Sequence, residues 1–411
     1  MEQQQKYPVH RGLYEVAKTL EEPFYKMLST WLGGVFEAAD QGKPILFNQF
    51  TIFSELTTAL GIQPLSPELW QVMCLQLNPM ACCESIDAAQ DAGIHPELCS
   101  ANKAIIGDLM LEKIPPPSMV VLPTFPCDNS KITYQTVAAI TGAPTYFLDC
   151  PYWMDEGEAM DYWVQQYKGL ISFMEEHSGK KLDWDRMKEV AEESNRAMDY
   201  WIESQELLKR RPLPVNGPAV AGYMAGLTSL GTPEATAAVK SVRDDMLAKM
   251  EAGETAVPDE KARVVWFYYP VFWDGGLSAW MAEQGVVIPV GLVGYFNSGP
   301  IDTTSPESII RGLARRGLET PMGRQGRGVS DLWIEDCLNA VEQWKADAVI
   351  LAGHPGCKWL RGCYGLFRDI ARERGIPVTI YDVDLFDPRL TSAEQSRAII
   401  GEYLESVVLN K

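Results

Sequence analysis

Three cysteines stand where a thiol can do chemistry. Cys127 follows a strand-like run in VVLPTFPCDNSK, and Cys357 follows another in AVILAGHPGCKW. In open parallel sheets, ligands bind in the loops at the carboxyl ends of the strands. Cys99, in HPELCSANKAIIGDLM, stands just before or at the start of a helix, where the helix dipole favours a thiolate. Such thiolates bind soft metals or carry redox steps. Each cysteine taken singly reads more readily as a small buried core residue than as a ligand, and their spacing alone proves neither reading. Cys74, Cys82, Cys83 and Cys337 lie on helix-like stretches and fit the core reading, whereas Cys150 and Cys363 fit either. His354 precedes Cys357 by three residues, as a partner of the thiol or as an ordinary hydrogen-bonded loop histidine.

Other chemistries leave no trace. There is no GxxxxGK[ST] phosphate loop, no GxGxxG after a first strand, no GxSxG elbow and no CxxC pair. With only four histidines, a histidine-rich metal site is not expected. Arg311, Arg315, Arg316, Arg324 and Arg327 crowd into residues 311–327. They could hold a polyphosphate such as that of coenzyme A, or form a solvated helix face.

The elements that must position these residues alternate in type. Strand-like runs cover residues 44–50, 118–124 and 145–149, and the stretch 134–141 between the last two is helical, closed by Gly142 and Pro144. That order predicts a parallel βαβ unit. From 155 to 250 apolar residues recur at helical spacing, with Asp183 a candidate N-cap between two long helices. Strand-like runs return at 262–270, 286–292, 347–353 and 377–384, and a last helix begins at a Thr391/Glu394 capping box. The predicted fold is α/β: two open Rossmann- or flavodoxin-like lobes with parallel sheets, residues 1–150 and 261–411, joined by a helical connector or lid, 151–260. No sequence repeat and no low-complexity run is present.

Composition narrows the partners. The chain has 411 residues and a formal net charge of −19, against the clustered cations that nucleic acid or an anionic membrane surface requires. Its longest strongly apolar run, residues 264–273, is about half what a membrane-spanning helix needs, and the polar N-terminus lacks an export signal. Nine cysteines without an export signal predict reduced thiols in a cytoplasm.

Six segments in chain order resemble the 2-hydroxyacyl-CoA dehydratase and benzoyl-CoA reductase family of iron–sulfur proteins. They are HPELCSANKAIIG, PCDNSKITYQTVAAITGAPTYFLD, HSGKKLDWDRMKEV, PVNG with its following helix, DAVILAGHPGCKW and VDLFDPRLTSAEQSR. The likeness runs along nearly the whole chain. It implies a 4Fe-4S cluster between the lobes, with Cys99, Cys127 and Cys357 as its ligands and one iron left open. Relatives that carry a double cubane have extra cysteines where this chain has Gln49 and Tyr269, so a single cubane is expected.

The resemblance also implies an acyl-CoA substrate, a homologous second subunit, and electrons from an ATP-dependent iron–sulfur activator or ferredoxin. In such dehydratases one electron makes a ketyl radical and hydroxide leaves; in the reductases the same machinery reduces an aromatic ring. Glu68 occupies the place of an active-site glutamate in dehydratases, and Glu55 that of a family glutamate at a helix start. Both are candidate proton carriers, with charge compensation of the helix the competing reading for Glu55. Phe50 replaces a family hydroxyl residue, which counts against classical dehydration or marks a non-catalytic relay subunit. The stretch from CDNSK to TYFLD looks closer to the ring-reducing branch, so benzoyl-CoA-type ring reduction is the expectation and 2-hydroxyacyl-CoA dehydration the alternative. A metal-free, two-lobed binding protein is the reading from outside the family.

Overall fold

The computed structural model describes residues 6–49, 51–152, 157–217, 221–268, 270–296, 298–328 and 330–410. Two four-stranded parallel sheets organise the chain. The first holds β1 (Ile45–Asn48), β2 (Gln63–Leu65), β3 (Met119–Pro123) and β4 (Thr145–Leu148), in the order β2-β1-β3-β4. The second holds β5 (Ala262–Phe267), β6 (Val286–Gly291), β7 (Ala348–Gly353) and β8 (Val378–Asp382), in the order β6-β5-β7-β8. β1, β3, β5, β6 and β7 are buried along their whole length, which is why they read as near-continuous apolar runs. The two orders are the same, so the lobes repeat each other in topology although their sequences do not. In each, the chain reverses its winding direction between the first and third strands, the place where open sheets bind ligands.

Between the sheets the chain is helical, with Glu158–Ser178, Trp184–Leu207, Ala221–Thr228 and Pro233–Glu251. Asp183 caps the second of these by accepting from the Asp185 and Arg186 amides. The last capping box falls one residue later than expected, at Ser392 and Gln395, because the Ser392 hydroxyl is the group that meets the N3 amide.

The long connection between the second and third strands of each lobe packs on the other lobe. Leu75, Ile86, Cys99, Ala101 and Ala104, from the β2–β3 connection, share a core with Val264, Trp266, Ile350 and Ala352 of the second sheet. In return Ile309, Ile310, Leu313 and Leu318, from the helix Pro306–Glu319 between β6 and β7, share a core with Leu46, Met119 and Val121 of the first. At about 1.5–3 kcal/mol per large side chain buried, this exchange holds the lobes as one body. It also carries Cys99, encoded with the first sheet, over to the second.

Among the described residues no helix is long and apolar enough to cross a membrane.

Candidate functional site

Cys127 lies four residues beyond the end of β3, and Cys357 four residues beyond the end of β7. Both therefore occupy the same station, the third-strand loop beside the reversal point of their lobe. Each is the N-cap residue of the helix that follows, as Cys99 is for Ser100–Met110. The three loops interlock. Asn129 Nδ2 donates to the Gly356 carbonyl at 2.7 Å, tying the Cys127 and Cys357 loops together. A Cβ on Gly356 would stand 2.5 Å from Cys99 Cα, so only glycine lets the Cys357 and Cys99 loops close to this distance.

All three cysteines line one cavity of about 600 Å³ between the lobes, together with Glu68 and His354. Cys150 and Cys363 are not among its described lining residues. Burial pushes the Cys99 and Cys127 thiols up to about 11 and the Cys357 thiol well above its ordinary value. The neighbouring Cys99 thiol raises Cys127 further, and Cys127 and Cys99 both raise Cys357, so the three lie within electrostatic reach of one another. Opposing this, the Ala101 and Asn102 amides and the Asn102 side chain favour the charged form of Cys99. Ser130 does so at Cys127, and the Leu360 amide at Cys357.

Three cavity-lining thiols, Cys99 buried and Cys127 and Cys357 half-buried, with N–H and O–H donors aimed at their charged forms suit a soft polynuclear cation, which deprotonates its ligands outright. Among the described residues, no three His, Cys, Asp or Glu side chains are placed to share a single metal ion. Thiolates on an iron–sulfur cubane each take a different iron, so holding such a cluster does not require the three to meet at a single ion.

His354 packs under this centre. Its Nε2 lies 3.1 Å from Cys99 Sγ, and the Leu385 amide donates to its Nδ1 at 3.3 Å. Because that amide can only donate, the ring proton sits on Nε2 and points at the thiol. Burial lowers the histidine's pKa, which keeps the ring neutral. Gln49, at a double-cubane position, is instead a buried amide whose Nε2 donates to Ser130 Oγ at 2.9 Å. The Ser130 hydroxyl is thereby oriented toward Cys127. Tyr269 and Phe50, on which two expectations rest, lie outside the described residues.

Glu68 stands half-buried on the cavity wall, in the first turn of the helix Pro67–Leu77. Ser66 Oγ donates to its Oε2 at 3.1 Å, and Tyr134 OH reaches both carboxylate oxygens at 3.2 Å. Desolvation outweighs these donors and pushes its pKa up to about 7.

The structure does not bring Glu55 to this cavity. Its carboxylate is buried between Arg316 Nη1, at 2.8 Å, and Ser194 Oγ, at 3.0 Å. That ion pair ties the helix Glu55–Leu60 to Pro306–Glu319, so a structural role replaces the expected catalytic one. The arginine cluster is likewise dispersed. Arg316 is spent on Glu55, Arg324 on Asp336, and Arg311 on Asp161, while Arg327 donates to the Leu318 carbonyl. Arg315 lies 3.8 Å from Glu319, and both it and Arg311 stay part-exposed, so the five arginines do not converge on a single anion site.

Fold and site together define a two-lobed α/β protein with a thiol-lined cavity at paired reversal points. The chain belongs to the family described as 2-hydroxyglutaryl-CoA dehydratase, D-component, which matches residues 50–407. It is 24% identical over 390 residues to the (R)-phenyllactyl-CoA dehydratase alpha subunit of Clostridium sporogenes, covering 91% of this chain and 92% of the relative. It is 23% identical to the alpha subunit of the (R)-2-hydroxyglutaryl-CoA dehydratase of Acidaminococcus fermentans, covering 72% and 62%. It is 23% identical to a subunit of the benzoyl-CoA reductase of Thauera aromatica, covering 78% of each. The protein is thus an enzyme-complex subunit of the dehydratase and reductase family, and relatives named as subunits imply partner subunits.

Proposed function

We propose that this chain is the cluster-bearing subunit of a complex that removes water from a 2-hydroxyacyl-CoA thioester. The observation that carries the reading is the convergence of Cys99, Cys127 and Cys357 on one cavity with Glu68 on its wall. A 4Fe-4S cluster held by those thiolates would supply single electrons at low potential and leave one iron without a ligand from this chain.

The chain's own residues do the rest. Glu68 holds a proton on its carboxyl and gives it to the departing hydroxyl, so that the group leaves as water. Ser66 and Tyr134 fix the carboxyl's orientation. The apolar wall keeps solvent from the reacting atoms. With no phosphate-binding loop in the sequence, the electron source is a separate ATP-dependent iron–sulfur activator or ferredoxin, and a homologous second subunit completes the enzyme.

The dehydratase reading fits at least as well as the ring reduction that the sequence favoured, because the relatives from Clostridium sporogenes and Acidaminococcus fermentans are named dehydratase subunits. Ring reduction is the second reading, supported by the match to the benzoyl-CoA reductase of Thauera aromatica; the same carboxyl would then protonate the ring.

Glu68→Gln tests the role. Turnover should fall by about 10²–10⁴-fold while acyl-CoA binding changes little. A raised pKa means the acid form is lost as pH rises through about 7, so wild-type turnover should decline across that range. The variant should lack the decline. Full turnover in the variant with the pH limb intact would remove Glu68 from the mechanism.

A further inference from the structure

The wall of the cavity carries information about the acyl group, given the reading above that a CoA thioester enters it. Leu28, Leu69, Met73, Leu227, Val293 and Met322 make it largely apolar. No lysine or arginine is among its described lining residues. Lys411 is the only cationic side chain outside the described residues, so the wall gains no other cation from them. Its acidic side chains are Glu68 and Asp274. Asp274 is already satisfied by Arg397 through two 2.9 Å hydrogen bonds, which consumes that guanidinium. His354, the remaining basic group on the wall, holds its one ring proton against Cys99.

We infer that the acyl group this cavity takes is uncharged and apolar, an aryl or branched-alkyl 2-hydroxyacyl chain, and not one ending in a second carboxylate. A carboxylate carried in would give up its hydration, find no lysine or arginine among the described lining residues, and share the wall with the Asp274 carboxylate. An aryl or branched-alkyl end instead meets leucine and valine side chains and adaptable methionine thioethers. The family's description is written around a 2-hydroxyglutaryl group, so the wall separates this chain from the substrate in that description.

The test is equilibrium competition binding to the anaerobically assembled complex. Three probes serve: a phenyl-bearing, a branched-alkyl and a glutaryl-type 2-hydroxyacyl-CoA. The two apolar thioesters should bind roughly 10²-fold or more tightly than the glutaryl type. Val72→Lys places a cation on a half-buried wall position where the lysine stem can lie along apolar surface. It should close that gap by about tenfold or more, through tighter binding of the glutaryl type. Equal or tighter binding of the glutaryl thioester to the unaltered complex overturns the inference but leaves the proposed function standing. Failure of all three probes to bind removes the thioester reading itself, and the inference with it. Should Val72→Lys not fold, the unaltered complex still decides between these outcomes.

Discussion

The Cys99–His354 contact defines a role that can be measured apart from turnover. The Leu385 amide holds Nδ1, so Nε2–H is aimed at the Cys99 sulfur. A donor to a cluster thiolate stabilises the more negative, reduced state and so raises the reduction potential. His354→Leu should therefore lower the potential in an anaerobic EPR-monitored titration, while iron content stays unchanged. An unchanged potential would leave the histidine a packing residue. At this scale the sequence nominated three thiols that the structure places on one cavity, since strand-end and helix-start positions are visible in its periodicity. It did not reveal that Gln49 orients Ser130 toward Cys127. Those residues are 81 positions apart, and only the fold brings the amide to the hydroxyl.

Elements were legible wherever burial wrote a pattern. The strand runs expected at 44–50, 118–124, 145–149, 262–270, 286–292, 347–353 and 377–384 each contain one observed strand. β2 escaped notice because it is three residues long and contains Pro64, which an edge strand tolerates and a propensity reading rejects. The helix Ser100–Met110 is buried almost all round, and Gly107 lies so close to the Ser85 carbonyl that a Cβ would clash. It therefore lacks the amphipathic stripe that marks surface helices. Glu55 was misplaced at this scale, since its partner Arg316 lies 261 residues away and no local signal links them. Glu55→Ala leaves a buried guanidinium unpaired and should cost about 3–5 kcal/mol in chemical denaturation. Turnover per folded molecule should hold. A stable variant with abolished turnover would return Glu55 to the catalytic machinery.

For the whole molecule, the exchange of long connections between lobes explains why residues as distant as 99, 127 and 357 meet. Each lobe presents its third-strand loop, and the β2–β3 connection delivers Cys99 to the opposite sheet. The exchange was invisible in sequence because the apolar residues of an exchanged helix look the same whichever sheet they cover. The topological repeat was hidden for a similar reason, since a shared strand order needs no shared residues. We propose that these lobes close on a single cubane. Iron and acid-labile sulfide per chain, measured on anaerobically purified protein and on Cys99→Ala, Cys127→Ala and Cys357→Ala, test it most directly. About four irons per chain are expected, with the cluster lost in each variant. About eight irons, or none in well-folded protein, would contradict it.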